Sequence, residues 1–435
     1  MKKIYILLGL LVSTVACNSD LDQVPPNIAK SDSLSDYEGV LNAAYYYQLG
    51  GVTPMAIMGE FRADNAFMFE APYTEFDEYD NNLTDMEDQF FGPFYTAMYK
   101  SILSANNVIE NSTTTTDIAE AKFLRALSYF KLVQVFGDVS LILTPQPSID
   151  EISGVDLTRQ PSAEIYNNVI IPDLNDAIGT LGSGTAAEAL LGKVYVFMGD
   201  YANAEPHLAA VLANTDYELQ ENFNEIFGAD NEGNSEIIYA AEIVSSVVDE
   251  YSFASRFWNW FVGDDSKSDL PVDPDLVAAF DVSDANGGGT DLRREVTLNE
   301  DGTTAIKFPK EGGNGSDHDW IEIRLADVIL MYAEALNETG SPATTVLPLL
   351  DDIRTRAGLT SLTGTATTKD EVRQAIANER RLELAFEGHR WFDLVRTGTV
   401  DAEMGQTIDK NYYLFPIPVS EVLASFGEIE QNPGY

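Results

Sequence analysis

The chain is poor in the residues on which most catalytic and cross-linked proteins depend. Its 435 residues include one cysteine, Cys17, so no internal disulfide can form and stability must come from the core. The three histidines, His207, His318 and His389, lie far apart, with no H-E-x-x-H motif and no cysteine pair. That leaves no pattern of a zinc centre. Basic residues are scarce: 26 Lys and Arg against 70 Asp and Glu give a formal charge of −44. Phosphate recognition needs a basic footprint, so nucleic acid is excluded as a partner and strongly anionic glycans are disfavoured. Long apolar runs are missing as well. Ile4 to Val12 falls far short of the roughly 20 residues that span a bilayer.

That short run follows Lys2 and Lys3 and precedes "STVAC", which together read as a removable signal. Small residues directly before Cys17 resemble a bacterial lipobox, with Thr14 where leucine is more common. Cleavage there would expose Cys17 for acylation, palmitate included, and several acyl chains anchor stably where one would not. Without Lys2 and Lys3 the formal charge becomes −46. The polar, acidic "NSDLDQVPPN" that follows suits an extended stalk. The expected division is residues 1–16 as signal, 17–34 as acylated cysteine and stalk, and 35–435 as one domain.

Within that domain, "AAEALLGKVYVFMGDYANAEPHLAAVLAN" (Ala186 to Asn214) places Leu191, Gly192 and Tyr195 at the L-G-x-x-Y spacing of a tetratricopeptide repeat. Gly199 and Asp200 make its turn, and Ala204, Leu208 and Val211 line the second helix. "IRLADVILMYAEALNETGSPATTVLPLLDDIRTRAGL" repeats the plan with Gly340 at the turn. "DIAEAKFLRALSYFKLVQVFGDV" (Asp117 to Val139) is a further helix, with Asp117 as N-cap and a glycine stop. The helical scaffold is expected mainly over 35–50, 90–215 and 320–400. Two stretches without sustained helical period, 50–90 and 217–318, read as loop-rich insertions on one side of it. "SEIIYAAEIV" and "TAIKFPK" read as short strands within the second.

Six segments, in order, resemble the SusD/RagB family of nutrient-binding outer-membrane lipoproteins of the Bacteroidetes. They are "GEFRADN", "EAKFLRALSYFKLVQVFGDV", "RLADVILMYAEAL", "IRTRAGL", "NERRLELAFEGHRWFDLVRTG" and "LFPIPVSEV" with the terminal "QNPGY". The resemblance implies a mostly α fold: four tetratricopeptide-like helix pairs as scaffold and a loop-rich half, with a few short strands, that carries the ligand site. It implies a surface-exposed, lipid-anchored protein of the outer membrane that acts as lid of a SusC-like TonB-dependent transporter. The ligand would be a glycan taken up in polysaccharide utilization; peptide uptake, as in the RagB branch, is the alternative.

The most enzyme-like run, "NERRLELAFEGHRWFDLVR", reads as an ion-pair network fixing the last helices, with Phe386, Trp391 and Phe392 in the core. With 70 carboxylates, pairs at glycosidase spacing carry no information. No nucleophile elbow or phosphate loop is present. The expectation is therefore a binding protein without cofactor, not an enzyme. Structural calcium is the one metal for which the sequence offers a carboxylate-rich stretch, "DVSDANGGGTD", although its spacing misses the EF-hand pattern.

A sugar offers a C–H face to aromatic rings and hydroxyls to directed polar groups. Two stretches combine both. "FRADNAFMFEAPYTEFDEYDNN" holds Phe69, Tyr73, Phe76 and Tyr79 beside Asp64, Asn65, Asp77 and Asn81. "SFASRFWNWFVGDDSKSD" holds Trp258 and Trp260 beside Arg256, Asn259, Asp264 and Asp265. The family resemblance, regional rather than residue by residue, favours an extended "FWNWF" with both indoles on one exposed face. On that reading, alanine at either tryptophan weakens binding and spares stability. Trp320 and Trp391 are expected to be structural.

Overall fold

The amphipathic segments become a continuous stack of helices in the computed structural model, which describes residues 36–145, 155–244, 254–262, 270–308 and 317–435. Cys17 and the stalk lie outside the described residues. The stack begins with α1 (Tyr37–Gln48), followed in the chain by the short α2 (Val52–Glu60). Helix α1 packs on α3 (Gly92–Asn111), α3 on α4 (Thr115–Phe136), and α4 on α5 (Ile171–Leu181). Helix α5 meets α6 (Ala186–Phe197), which pairs with α7 (Tyr201–Leu212). After α8 (Pro274–Gly287) in the long insertion, the stack resumes with α9 (Leu325–Thr339) against α7. Helices α10 (Ala343–Arg356) and α11 (Lys369–Glu383) both pack on α9, and α12 (Arg390–Thr397) packs on α2. This is a mostly α plan, with helix following helix around two apolar clusters, the second formed by α9, α10 and α11.

Small residues set the seams. A Cβ on Gly192 would lie 2.6 Å from the Leu208 side chain, so α6 and α7 approach as closely as they do only with glycine there. Gly199 has φ +70°, and Asp200 caps α7 by accepting the Asn203 N–H. Helix α9 ends at Gly340 in the left-handed region.

Several expectations need correction. Helix α4 starts at Thr115, so Asp117 sits in its first turn, favoured by the helix dipole, rather than at the cap. The 50–90 stretch is not all loop, because all nine residues of α2 are buried. A helix covered on every side has no polar face, and hence no helical period to read. Helix α8 likewise occupies part of the 217–318 stretch. "SEIIYAAEIV" does hold a strand, β3 (Ile237–Ala241); with β1 (Val139–Ser140) and β2 (Arg159–Gln160) paired before it, the last is β4 (Trp320–Arg324). Strands β3 and β4 run antiparallel, with Ala241 opposite Trp320 and Tyr239 opposite Ile323. "TAIKFPK" contributes an isolated bridge, Leu298 to Ala305, instead of a strand.

The charged run around α11 is tied into a buried network. Arg324, at the end of β4, donates to Glu236 (2.8 Å), Glu383 (2.7 Å) and Glu387 (2.7 Å). Glu383 also takes Arg293 (3.1 Å) and Arg356. Arg293 reaches Asp291 (2.7 Å) and Glu379 (2.6 Å), Arg354 reaches Glu379 (3.1 Å), and Lys307 pairs with Glu387. Five cations face five carboxylates, so the cluster is neutral as a whole. Burial alone would raise the Glu383 carboxyl, but Arg356, Arg324 and Arg293 hold it well below the usual range. Burial pulls Lys307 down to about 8 against the pull of Glu387.

A carboxyl depressed in the folded state contributes stability above its unfolded value of about 4.3, and that stability is lost as pH falls toward the folded value. Chemical denaturation across acid pH is therefore expected to show stability dropping below about pH 4. At pH 7, Glu383→Gln should cost about 3–5 kcal/mol, because three guanidinium groups lose a charge partner. The variant should also show a shallower acid slope. Wild-type stability in Glu383→Gln would show that the network does not hold the fold.

Candidate functional site: the aromatic loops

The site begins where α2 abuts the turn after α11. A Cβ on Gly59 would lie 2.2 Å from the Gly388 carbonyl oxygen, so the two backbones touch. Glu60, buried at the end of α2, accepts N–H groups from Gly388 (2.9 Å) and His389 (3.1 Å) and the amide of Asn65 (2.9 Å). Burial raises its carboxyl to about 7 although these donors favour the ionised form. Asp64 takes a bidentate pair from Arg390 (2.6 and 2.8 Å) and a further contact from Arg381 (3.0 Å). Asp64 and Asn65 are thus structural, held by α11 and α12.

Arg62 carries the clamp into the aromatic loop. Its guanidinium lies 4.4 Å from the Tyr79 ring centre, 5.6 Å from Trp391 and 5.7 Å from Phe415. It donates to the carbonyls of Phe76 (2.8 Å), Glu75 (3.3 Å) and Tyr412 (3.0 Å), which fixes the 75–79 turn from beneath. Neither Glu60 nor Arg62 stood out as a site residue in the sequence; their signal was the "GEFRADN" motif that contains them.

The loop's own aromatics divide between core and surface. Tyr79 turns inward: at φ +52° it stacks on Trp391 (5.8 Å, 29°) and donates its hydroxyl to the Arg62 carbonyl (2.8 Å). Phe76 is fully buried. Asp77 is half-buried and accepts the Met68 N–H (3.4 Å), and burial lifts its carboxyl to about 7. Tyr73 is nearly covered, with its hydroxyl on Gln89 (2.8 Å). Phe69 is 49% exposed beside Phe67, and Asn81 is exposed.

The paired indole platform does not form. Ala254–Trp260 is a 3-10 helix, with about three residues per turn, so side chains two apart diverge by roughly 120°. Trp258 is 2% exposed and belongs to the core. Phe257 packs on Phe308 (4.9 Å) and Trp320 (5.0 Å), and Phe261 stacks on Phe61 (5.2 Å, 15°). Trp260 is half-buried and meets the edges of Tyr73 (5.4 Å, 70°) and Phe90 (5.5 Å, 63°). Asn259 beside it is half-buried. The Arg256 side chain, Asp264 and Asp265 lie outside the described residues. The structure thus joins the two predicted loops through Tyr73 and Trp260, while Trp258 and Tyr79 serve the fold. Trp320 and Trp391 are both buried.

The carboxylates of the stretch named for calcium have arginine partners in this structure. "DVSDANGGGTD" is largely α8, where Asp281 and Asp284 pair with Arg294, and Asp291 pairs with Arg293. Among the described residues one carboxylate group, Glu75, Glu78 and Asp80, brings its oxygens within 4.8 Å of one another. It is partly exposed on the same loop, as many ion-free acidic clusters are. No helix among the described residues is long and apolar enough to cross a membrane.

Residues 284–411 match the SusD family, and residues 19–195 match a family described as starch-binding and associating with the outer membrane. The chain belongs to the SusD family. It is 27% identical to SusD-like protein P2 of Formosa agariphila, with both chains fully covered. A SusD superfamily structure from Parabacteroides distasonis superposes with a TM-score of 0.75 at 22% identity, covering 94% of this chain and 100% of that one. A laminarin-binding SusD-like protein gives 0.75 at 26% identity, covering 92% and 99%. As a SusD-family member the chain is a binding protein and not an enzyme.

The two tryptophans now part company in stability. Trp258→Ala is expected to cost about 3–5 kcal/mol, as for other buried aromatics, and Trp260→Ala clearly less. Urea denaturation of both variants measures the difference; equal losses would contradict the buried position of Trp258.

Proposed function

We propose that the protein is a cell-surface lipoprotein of the outer membrane that captures a neutral oligo- or polysaccharide. It would present this glycan to a SusC-like TonB-dependent transporter, for which it serves as lid. The observation that carries the reading is the joined aromatic loop pair. Trp260, steadied edge-on by Tyr73 and Phe90, and the exposed Phe69 supply apolar area, and Asn259 and Asp77 supply directed polar groups. Rings braced by neighbours lose little freedom on binding, which favours a preformed site. The family's starch-binding description and the laminarin-binding relative make glucans the first ligands to try. Cys17, acylated after removal of residues 1–16, would anchor the chain, with residues 17–34 as stalk.

Isothermal titration against laminarin- and starch-derived oligosaccharides and against mixed peptides tests this directly. Phe69→Ala and Trp260→Ala should each weaken glycan binding by about tenfold or more, the effect of losing about 1.4 kcal/mol. Melting temperature should change little. A response to peptides alone would sink the glycan reading in favour of RagB-like peptide uptake.

A further inference from the structure

A cavity of about 440 Å³ opens between α9, α11 and α12, and none of its lining residues belongs to residues 67–80 or 254–262. Its walls are densely charged yet balanced. Arg373, Arg380, Arg381, Arg390 and Arg396 line it, as do Glu334, Glu338, Asp370, Asp393 and Glu403.

Each arginine is already matched. Arg396 holds Glu334 in a bidentate pair (2.6 and 2.9 Å) and reaches Asp393 (2.8 Å). Arg380 joins Asp327 (2.7 Å) and Asp393 (3.1 Å), and Arg390 joins Asp64 and Glu403 (2.9 Å). Arg373 pairs with Glu338 (2.7 Å), and Arg381 with Asp64 (3.0 Å).

An anionic ligand would have to take a guanidinium from its carboxylate, and a cationic one the reverse, so neither charge gains. What remains is directional capacity without net charge: spare guanidinium N–H groups and outer carboxylate lone pairs. His389 adds to it. It lines the cavity, and its ring has no hydrogen-bond partner among the described residues. Burial and the nearby Lys193 lower it to about 4, so at neutral pH it offers one donor and one acceptor. Ile376, Leu384 and Leu394, all buried, supply an apolar wall. Hydroxyl groups, each both donor and acceptor, on a ring with C–H faces match this inventory.

We propose that the cavity is a second saccharide site, for a short neutral sugar, separate from the aromatic loops. Either site can fail without the other.

The lining arginines hold the fold, so the test uses residues at the mouth. Ala377 and Gln374 are exposed on α11 and line the cavity, and among the described residues the Gln374 amide bonds only to Asn378. The mature chain, labelled for side-chain NMR, is titrated with glucose, maltotriose and laminaritriose into the millimolar range. Binding should shift the Arg373, Arg396, His389 and Gln374 side-chain signals. Ala377→Trp, which fills the mouth, should weaken that response about tenfold or more while Phe69→Ala leaves it unchanged. Gln374→Ala, which only removes an amide, should weaken it too and serves if the tryptophan variant misfolds. Absence of shifts in these residues with all three sugars overturns the proposal. So does an undiminished response in both mouth variants. Shifts confined to the Trp260 indole would overturn the cavity and leave the loop site standing; cavity shifts without them would do the opposite.

Discussion

Arg324 is the group on which the arrangement depends. It ends β4, begins the chain's return into α9, and is wholly buried with three carboxylates around it. A guanidinium in that position has no tolerable alternative: stripped of water, it must be met by opposite charge and by hydrogen bonds on its whole rim. Meeting it draws Glu236 from the insertion, Glu383 from the end of α11 and Glu387 from the turn after it to one point. Those carboxylates in turn require Arg293, Arg356 and Lys307. Such a cluster adds little stability over an apolar core of equal volume, but its geometry can be satisfied in few ways. It therefore sets how the insertion docks on the helical stack.

From that cluster the constraint passes to the loops through backbone contacts. The turn that follows Glu383 presents the N–H groups of Gly388 and His389 to Glu60, and α12 presents Arg390 to Asp64. Two residues beyond Glu60, Arg62 reaches under the 75–79 turn and holds its carbonyls. Tyr73 then braces Trp260 from the far insertion. Scaffold helices, buried charge and half-buried ring are thus successive links of one chain of contacts. A preformed aromatic edge follows from burying the residues behind it, and most of the loop's aromatic content is spent on that burial.

What could be read beforehand follows the same division. Helices with one wet face, such as α6, α7 and α9, announce themselves by period and by glycine stops, and the ordered motifs point to the family. Helix α2 does not, because burial on all sides erases the period. The "FWNWF" segment misleads for a related reason. Its composition is that of a binding platform, yet a 3-10 turn sends Trp258 inward and leaves Trp260 at the surface, and nothing local distinguishes the two rings. The carboxylates of "NERRLELAFEGHR" are recognisable as a network, but Arg293, Lys307 and Arg324 come from distant segments. Their convergence is a property of the fold.

The charge of the chain takes on a sharper meaning once the pairs are known. Sixteen of the 26 Lys and Arg are engaged with carboxylates among the described residues, several of them deep in the interior. The positive charge is consumed in holding the fold, and the excess of acid is left to the surface. Glu75, Glu78 and Asp80 lie on the same loop as the aromatic edge, so a bound ligand would meet a negative field there. An anionic polysaccharide would approach against that field, with no described basic group free on the loop to offset it, since Arg62 is wholly buried beneath its aromatic rings. A neutral glycan meets no such penalty and can use the same carboxylates as hydrogen-bond acceptors, and this is the physical ground on which a neutral ligand is proposed for the loops.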